Sequence, residues 1–271
     1  MNDTLIVTVF SVIDDVLQVY EHHDHCLAQV CDAELLTVAV VAARYFQNHH
    51  ERALFVMQGL GYLSGHISIS RFNRRLHQAS VWFSAILALV CDLFAVGEIF
   101  IIDSLSLPVC KRVRAWRCKK VRGAEYCGYC SAKKEKFFGW RLHLICTHTG
   151  IPVSFELLPA AFHDLTPVHE LTYALPTGAC VYGDKAYNAL ADEATLLTEI
   201  SVRLIPIRRK NMKQHRWADE FDLHTYRHSI ETLNSQLESM GINRLHARTN
   251  AGFDIKVWAS LLALSFSNSL N

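Results

Sequence analysis

The sequence predicts an α/β protein in two parts: an all-helical region over residues 1–97, then a mixed sheet flanked by helices over 98–271. Three observations predict this class. The first region has few Gly or Pro residues, and its apolar residues recur every three to four positions, as in amphipathic helices. At Glu98 the pattern changes to short apolar runs bounded by turn residues, as in strands. Strands and helices then alternate, which is typical of a sheet with helices on its faces.

Two segments of the first region carry the helical pattern most clearly: "DAELLTVAVVAARYFQ" and "ISISRFNRRLHQASVWFSAILALV". We interpret Ser70 as the N-cap of the second helix. Its first turns then hold the side chains that pair with base edges or phosphates, namely Arg71, Asn73, Arg74 and Arg75. This helix is therefore a hypothetical DNA reader of the helix-turn-helix kind. The alternative is an ordinary solvated basic face, or a helix that only packs on the rest of the protein.

The second part contains five predicted strands, "EIFIID", "FFGWRLHLICT", "GIPVSFELLP", "CVYGD" and "VRLIPI". A Thr149-Gly150 turn joins the second strand to the third. The predicted helices are "HDLTPVHELTYAL", which we expect Asp164 to cap, "ALADEATLLTEI", "TYRHSIETLNSQLESM" and "GFDIKVWASLLALSFSNSL". The order predicts a mixed five-stranded sheet with helices packed on it.

Two of these strands run out into a carboxylate, Asp103 and Asp184, and a later helix carries Glu231. One such Asp by itself is typical of a turn or a helix cap. Neighbouring strands lie roughly 5 Å apart, so the two Asp residues can meet at one edge of the sheet. Clustered carboxylates repel one another, and a cation relieves that repulsion. Hard oxygen ligands at such an edge suit a pair of Mg²⁺ ions roughly 4 Å apart, as in phosphodiester cleavage.

Four stretches resemble the DDE transposases encoded by bacterial insertion sequences, which belong to the RNase H-like integrase superfamily. They are "IIDSLSLPVC", "GYCSAKKEKFFGWRLHLICTHTGIPVSFELLPAAFHDLTPVHEL", "VYGDKAY" and "YRHSIETLNSQLE". The resemblance covers about residues 98–268 and implies an RNase H-like fold that cleaves and joins DNA strands. It also implies two Mg²⁺ ions, replaceable by Mn²⁺, held by a catalytic triad of Asp103, Asp184 and Glu231.

Further positions follow from the same resemblance. Arg227 matches an Arg that many members place four residues before the Glu, and that spacing puts both side chains on one helix face. Lys185, His163 and Asp164 also fit the family pattern, as supporting residues or only as packing and capping residues. Two positions depart from it: Tyr226 is adjacent to Arg227, where many relatives have a Tyr three residues earlier, and Glu238 replaces a frequent Lys.

The chain carries a formal net charge of +1, but the charge is unevenly distributed. Between Ser104 and Cys146 there are eleven Lys or Arg against two Glu. Most lie in a basic insertion over about 104–137, directly after the first predicted catalytic Asp. We interpret them as contacts to DNA phosphates, with a solvated basic face as the alternative. The predicted contacts are Lys111, Arg112, Arg114, Arg117, Lys119, Lys120 and Arg122, joined after the last strand by Arg208, Arg209 and Lys210.

Nine cysteines, an odd number, suggest reduced thiols in a cytoplasmic protein. The insertion contains Cys110, Cys118, Cys127 and Cys130. A single Cys-x2-Cys is only half of a structural zinc site, so we interpret these as loop thiols, with zinc as the alternative. His143, on the second strand, is either a site residue or a packed strand residue.

No signal peptide is expected, because the first residues lack a basic region and a cleavage site. The apolar segment from Val81 to Ile102 is interrupted by Asp92, Gly97 and Glu98, so we expect no membrane span. The expected partners are the terminal inverted repeats of the element, target DNA and a second subunit in a homodimer on DNA. Two alternatives stay open: a purely hydrolytic metal-dependent nuclease, and a catalytically silent transposase-derived DNA-binding regulator.

Overall fold

The fold is that of a computed structural model, which describes residues 1–130, 133–209, 212 and 217–270, without the side chain of Arg227. In chain order the helices are α1 Asp3–Val19, α2 Asp32–Phe46, α3 His50–Gly59, α4 Ile69–Ala79, α5 Phe83–Phe94, α6 Val168–Thr172, α7 Leu190–Ile200, α8 Trp217–Ser239 and α9 Asn250–Ser269. The strands are β1 Ile99–Lys111, β2 Cys127–Cys130, β3 Glu135–Thr147, β4 Pro152–Pro159, β5 Cys180–Gly183 and β6 Arg203–Pro206.

The chain divides into two compact units. The first combines Met1–Phe94 with Gln236–Asn271, and the second is Ala95–Ser235. The sequence prediction instead placed the whole C-terminal segment with the sheet. The structure groups that segment with the helices, because α9 packs against α2.

Helices α2 and α9 form the core of the first unit. Residues 33–43 of α2 and 259–267 of α9 are buried without a break, so both helices are covered on all sides. Asn48, just after α2, is also buried, and its Nδ2 donates to the backbone oxygen of Met240 at 3.1 Å and to Oγ of Ser260 at 2.9 Å. The sequence of a helix that is apolar on all sides predicts that the helix is buried, but it does not predict which helix packs against it.

Helix α4 begins two residues earlier than the sequence predicts. Its N-cap is Ser68, whose Oγ accepts a hydrogen bond from the backbone N–H of Arg71, so the prediction of Ser70 as the cap is wrong. Both residues are Ser in an alternating "ISIS" stretch, and sequence alone does not choose between them.

One helical stretch, Ile69–Phe94, is long and apolar enough to cross a membrane by length and composition alone. It is interrupted by a 3-10 turn at Ser80–Trp82. Phe83, Ile86 and Val90 in its second half are buried within the protein. The core helix of a globular protein passes the same test of composition.

The second unit is built on a mixed six-stranded sheet with the order β2-β3-β1-β5-β6, in which β4 also pairs with β3. The pairs β1-β3, β2-β3 and β3-β4 are antiparallel, whereas β1-β5 and β5-β6 are parallel. This mixed sheet with helices, after a helical first part, confirms the predicted α/β class, with six strands where five were predicted. The sixth strand, β2, comes from the insertion and has only four residues, Cys-Gly-Tyr-Cys, with no alternation to predict it.

Strand β1 does not end at Asp103, as the sequence predicted, but continues to Lys111. The extension pairs with the long strand β3, and Pro108 is tolerated because the register shifts there as in a β-bulge. Pairing with β5 does stop at Ile102, opposite Gly183. Asp103 therefore lies where β1 loses its parallel neighbour.

The helix after β4 also begins later than predicted. Helix α6 starts at Val168 with Pro167 as its N-cap, so Asp164 does not cap it. Proline at such a position fixes the backbone for helix entry, and the three residues before it form turns. Asp164 is left to make a different contact, which lies at the candidate site.

Candidate active site

Asp103 and Asp184 occupy adjacent positions on neighbouring strands. The last parallel pair is Ile102 with Gly183, and the two carboxylates follow it, one on each strand. Adjacent strands lie about 4.8 Å apart, so the two residues share one edge of the sheet. Asp184 also caps the 3-10 turn Lys185–Tyr187, since its Oδ1 accepts from the backbone N–H of Ala186 at 2.8 Å. The sequence prediction that these two residues meet is consistent with this register.

The environment of Asp103 favours its protonated form. Burial, together with the negative charges of Asp184 and Asp164, raises the pKa of Asp103 to about 6. Hydrogen bonds to Asn234 and to the backbone of Ser104 act in the opposite direction. Burial, with the charge of Asp164, also raises the pKa of Asp184. The site thus holds two carboxyl groups, Asp103 and Asp184, whose ionisation is costly without a nearby cation.

Helix α8 reaches this site through Asn234, whose Nδ2 donates to Oδ2 of Asp103 at 2.6 Å. Glu231 lies three residues earlier, on the neighbouring turn of the helix, and is exposed. Its Oε2 lies 4.0 Å from Nδ1 of His228. Among the described residues, Glu231 does not join Asp103 and Asp184 in a group whose ligand atoms all lie within 4.8 Å. The predicted role of Glu231 as the third carboxylate stays a prediction.

Asp164, a predicted supporting residue, forms further contacts near the pair, and its partner Arg141 was not predicted. Nη1 of Arg141 donates to Oδ1 of Asp164 at 2.9 Å, and both side chains are mostly buried. The buried ring of His143 lies next to them, with Nδ1 3.9 Å from the same oxygen. Burial lowers the pKa of His143 to about 4, so the ring is neutral at pH 7. Arg141 thus balances the charge of Asp164.

The glycine of the Gly-Asp-Lys-Ala-Tyr segment is explained by steric crowding around its Cα. A Cβ on Gly183 would lie 2.9 Å from Cγ2 of Ile102 and 3.0 Å from the ring of Tyr187, so a larger residue would displace one of them. Tyr187 is fully buried under the turn. Lys185 and His163, by contrast, are exposed. The side chain of Arg227 lies outside the described residues, so its predicted role stays a prediction.

One of the four predicted base-reading residues has a structural role. Arg75 forms ion pairs with Asp32 at 2.6 Å and Asp24 at 3.1 Å, and only 19% of its side chain is exposed. With His22, these acids are the one group in the described part of the chain with three possible metal ligands within 4.8 Å. Arg75 supplies their counter-charge, so the prediction that it contacts DNA is wrong. Arg71, Asn73 and Arg74 are exposed on α4, and their role stays a prediction.

The basic insertion presents its cations to solvent. Arg112, Arg114, Arg117, Lys119 and Arg122 are exposed, and Lys120 is partly exposed. Lys111 lies 3.7 Å from Glu135 in an exposed pair. The guanidinium of Arg117 lies 4.3 Å from the ring centroid of Trp116, which is 76% exposed. An exposed indole among cations is typical of nucleic-acid contacts.

Among the cations after β6, Arg208 is not available to DNA. Its guanidinium binds Glu193 through two nitrogens, each 2.6 Å from a carboxylate oxygen, and only 8% of its side chain is exposed. The prediction of a phosphate contact at Arg208 is therefore wrong. Arg209 is exposed, and Lys210 lies outside the described residues.

The insertion cysteines are free thiols. Cys110 and Cys118 lie close enough to hydrogen bond, and burial together with Cys118 raises the pKa of Cys110. Among the described residues, these cysteines do not form a group of three ligand atoms within 4.8 Å.

Comparison with known families identifies the second unit. Residues 95–250 match the family model described as "Transposase DDE domain". No curated protein matches the chain. Similar solved structures include the Mos1 strand transfer complex, at 12% identity over 81% of this chain and 79% of that chain with a TM-score of 0.27. A Mos1 paired-end complex and a pre-cleavage Mos1 transpososome give 14% and 13% identity, each over 81% of this chain and 80% of the other, with TM-scores of 0.25 and 0.26. Scores this low do not establish a shared fold, so the assignment rests on the family model.

Proposed function

The chain belongs to the transposases with a DDE domain, and from that premise we propose that it is an insertion-sequence transposase that binds the element ends, then cleaves and transfers their strands. The observation that carries this proposal is the meeting of Asp103 and Asp184 at one sheet edge inside the matched segment. The proposed setting is the bacterial cytoplasm, with the protein acting as a homodimer on DNA.

The donor set fits divalent metal ions. Asp103 and Asp184 offer carboxylate oxygens, the hard ligands that Mg²⁺ and Mn²⁺ prefer. Burial and nearby carboxylates raise their pKa values, and a bound cation would favour the ionised forms. Glu231 would complete the set from α8. When bound, the two metal ions supply an activated water or 3′-OH and stabilise the leaving oxygen.

The remaining residues position these carboxylates. Asn234 fixes Oδ2 of Asp103, which directs the other oxygen of that carboxylate away from the amide. Arg141 forms an ion pair with Asp164, so the negative charge of Asp164 adds less to the charges of Asp103 and Asp184. Reaction would proceed by in-line attack of oxygen on phosphorus without a covalent protein intermediate.

The exposure of Glu231 to solvent leaves the silent-regulator alternative open, since a chain without a third carboxylate at the site would bind DNA and not cut it. Repulsion among carboxylates also explains this exposure, since bringing a third negative charge to Asp103 and Asp184 is costly without cations. The two explanations differ in one measurement: a regulator binds end DNA without cutting it, whereas a transposase nicks it when Mg²⁺ is added and stops when the metal is chelated.

The basic insertion should supply phosphate contacts that do not depend on DNA sequence. Replacing Lys119, Lys120 and Arg122 together by Gln should weaken binding to every duplex and reduce the slope of log K against log salt by about 2 to 3, because each lost contact releases about one counterion fewer. Binding titrations at several salt concentrations measure this slope. The control, Arg52→Gln with Arg244→Gln, removes exposed cations outside the predicted contacts. An unchanged slope in the triple variant would show that these cations do not contact DNA phosphates and form an ordinary solvated face.

Specificity should reside on α4. Replacing Arg71 and Arg74 by Ala should reduce the preference for element ends over random duplex at least tenfold, because each base contact contributes about 1–3 kcal/mol. Asn73 is left unchanged, since it hydrogen-bonds His50. Competition binding with end and random duplexes measures the preference, with Arg52→Ala as the matched control on α3. A preserved preference in the double variant would place the reader elsewhere.

A further inference from the structure

The first unit contains a cavity of about 560 Å³ that the sequence did not predict. Its walls come from the beginnings of three helices, α3, α4 and α9, together with the segment that leads into α9. The cavity is large enough for a phosphate group with part of the molecule attached to it. What it would bind follows from its polar lining.

Three helix N-termini open on this cavity. His49 and His50 begin α3, Ser70 is in the first turn of α4, and Thr249 caps α9. The helices are 10, 11 and 20 residues long. Each N-terminus carries about half a positive charge and N–H groups that point out of the helix, so each favours an anion near it.

The side chains around the cavity add positive charge. Lys256 and Arg248 line it as cations, and His49, His77 and His246 add ring nitrogens that can hydrogen-bond an anion. Nζ of Lys256 donates to the backbone oxygen of His246 at 3.3 Å, which holds the ammonium at the wall. Among the described lining residues, Glu51 is the one acid. The charge of the cavity is therefore that of an anion site.

His50 supplies an independent sign of a missing ligand. Its Nε2 is buried and has no hydrogen-bond partner among the described residues, whereas Asn73 hydrogen-bonds the ring. Burial, together with the charges of Lys256, His49 and His77, lowers the pKa of His50 to about 3. The ring is thus neutral at pH 7 in the free protein. An anion in the cavity would favour the protonated ring, whose Nε2–H could then donate to an anionic oxygen and satisfy the buried nitrogen.

We propose that this cavity is a phosphate-binding site of the first unit, in which Lys256, His50 and His77 bind the phosphate oxygens. The source of the phosphate is either the DNA backbone or a free phosphate compound. The backbone source rests on the proposed function, and the exposed Arg71 and Arg74 on the same helix α4 support it. The site itself rests only on the cavity, the helix ends and the unpartnered nitrogen.

The first test follows the histidine ring signals by NMR in the intact protein while inorganic phosphate, and separately a short random duplex, is added. Phosphate should shift the signals of His50 and His77 and raise the pKa of His50, because an anion favours the charged ring. The signal of His66, exposed and outside the cavity, should stay in place. Unmoved His50 and His77 signals with both ligands would overturn the proposal.

The second test uses two pairs of variants. Lys256→Met should weaken phosphate binding about tenfold or more, since it removes a charged hydrogen-bond donor, whereas Arg52→Met should not. His77→Gln, at an exposed position that tolerates substitution, should also weaken it, in contrast to His66→Gln. Thermal unfolding midpoints verify that each variant is folded. Equal affinities within both pairs would overturn the site.

The two ligands separate this proposal from the proposed function. If phosphate binds and duplex DNA does not, the cavity is an anion site but the chain is not a DNA-binding transposase. If the duplex binds equally well to Lys256→Met and Arg52→Met, DNA binding stands and the cavity does not hold a backbone phosphate. If both ligands lose affinity only in the cavity variants, the site binds DNA.

Discussion

Asp103→Asn is expected to reduce Mg²⁺-dependent cleavage of end DNA at least about a thousandfold while leaving the affinity for that DNA nearly unchanged. The amide keeps the size of the carboxylate and can still accept from Asn234, but it loses the negative charge that a hard cation needs. Asp184→Asn should have the same effect, because its carboxylate lies next to Asp103 in the strand register. Cleavage rates and binding isotherms on the same duplex measure both quantities.

The matched control is Asp192→Asn, which removes a carboxylate of the same unit that pairs with His169, outside the site. It should leave cleavage within about twofold of the unchanged protein. If cleavage survives in both Asp103→Asn and Asp184→Asn, these residues do not bind the catalytic metal. A parallel loss of DNA affinity would instead indicate that they act in binding.

The same substitution should stabilise the metal-free protein. In the folded chain the pKa of Asp103 is about 6, above its ordinary value of 3.8. Between these values the folded state keeps a proton that the unfolded chain has released, so the free energy of unfolding falls as the pH rises through this window. Above pH 6 Asp103 is ionised in both states, and the folded chain carries the full free-energy cost of ionising this carboxyl group in its buried position. A shift of this size corresponds to about 3 kcal/mol, which partial exposure and solvent screening reduce to about 1–2 kcal/mol.

The measurement is the difference in unfolding free energy between Asp103→Asn and the unchanged protein, in chelator, from pH 4 to 8. The difference should be small near pH 4 and should grow to about 1–2 kcal/mol in favour of the variant above pH 6. Mg²⁺ should then stabilise the unchanged protein and not the variant, because only the ionised carboxylate binds the metal. A difference that does not vary with pH would show that Asp103 ionises normally.

The sequence predicted the site where a local pattern carried the information. An apolar run followed directly by a charged residue located Asp184, and β5 does end at Gly183. The extension of β1 had a local signal as well, since Ser104 to Leu107 alternates polar and apolar residues. Pro108 concealed it, because a proline in a strand is tolerated only at an edge or a bulge.

Contacts between distant segments had no such signal. Arg141 is one of eleven Lys or Arg residues in its basic stretch, and only the sheet register and the late start of α6 bring it to Asp164. Arg75 and Arg208 resembled their exposed neighbours in sequence, yet each is neutralised by acids far along the chain. Asn234 could have been found, since a residue three positions after Glu231 lies on nearly the same helix face.

The most direct test of a transposase is whether it joins strands. The purified protein would be incubated with Mg²⁺, a supercoiled target plasmid and a duplex carrying the inverted repeats that border its coding sequence, and the products would be sequenced at every junction. We expect cuts at the repeat ends that leave a 3′-OH, and covalent joining of that end to the plasmid, both absent with Asp103→Asn. Cut ends that never join would indicate a hydrolytic nuclease. Binding without any cut would contradict the catalytic role of Asp103 and Asp184.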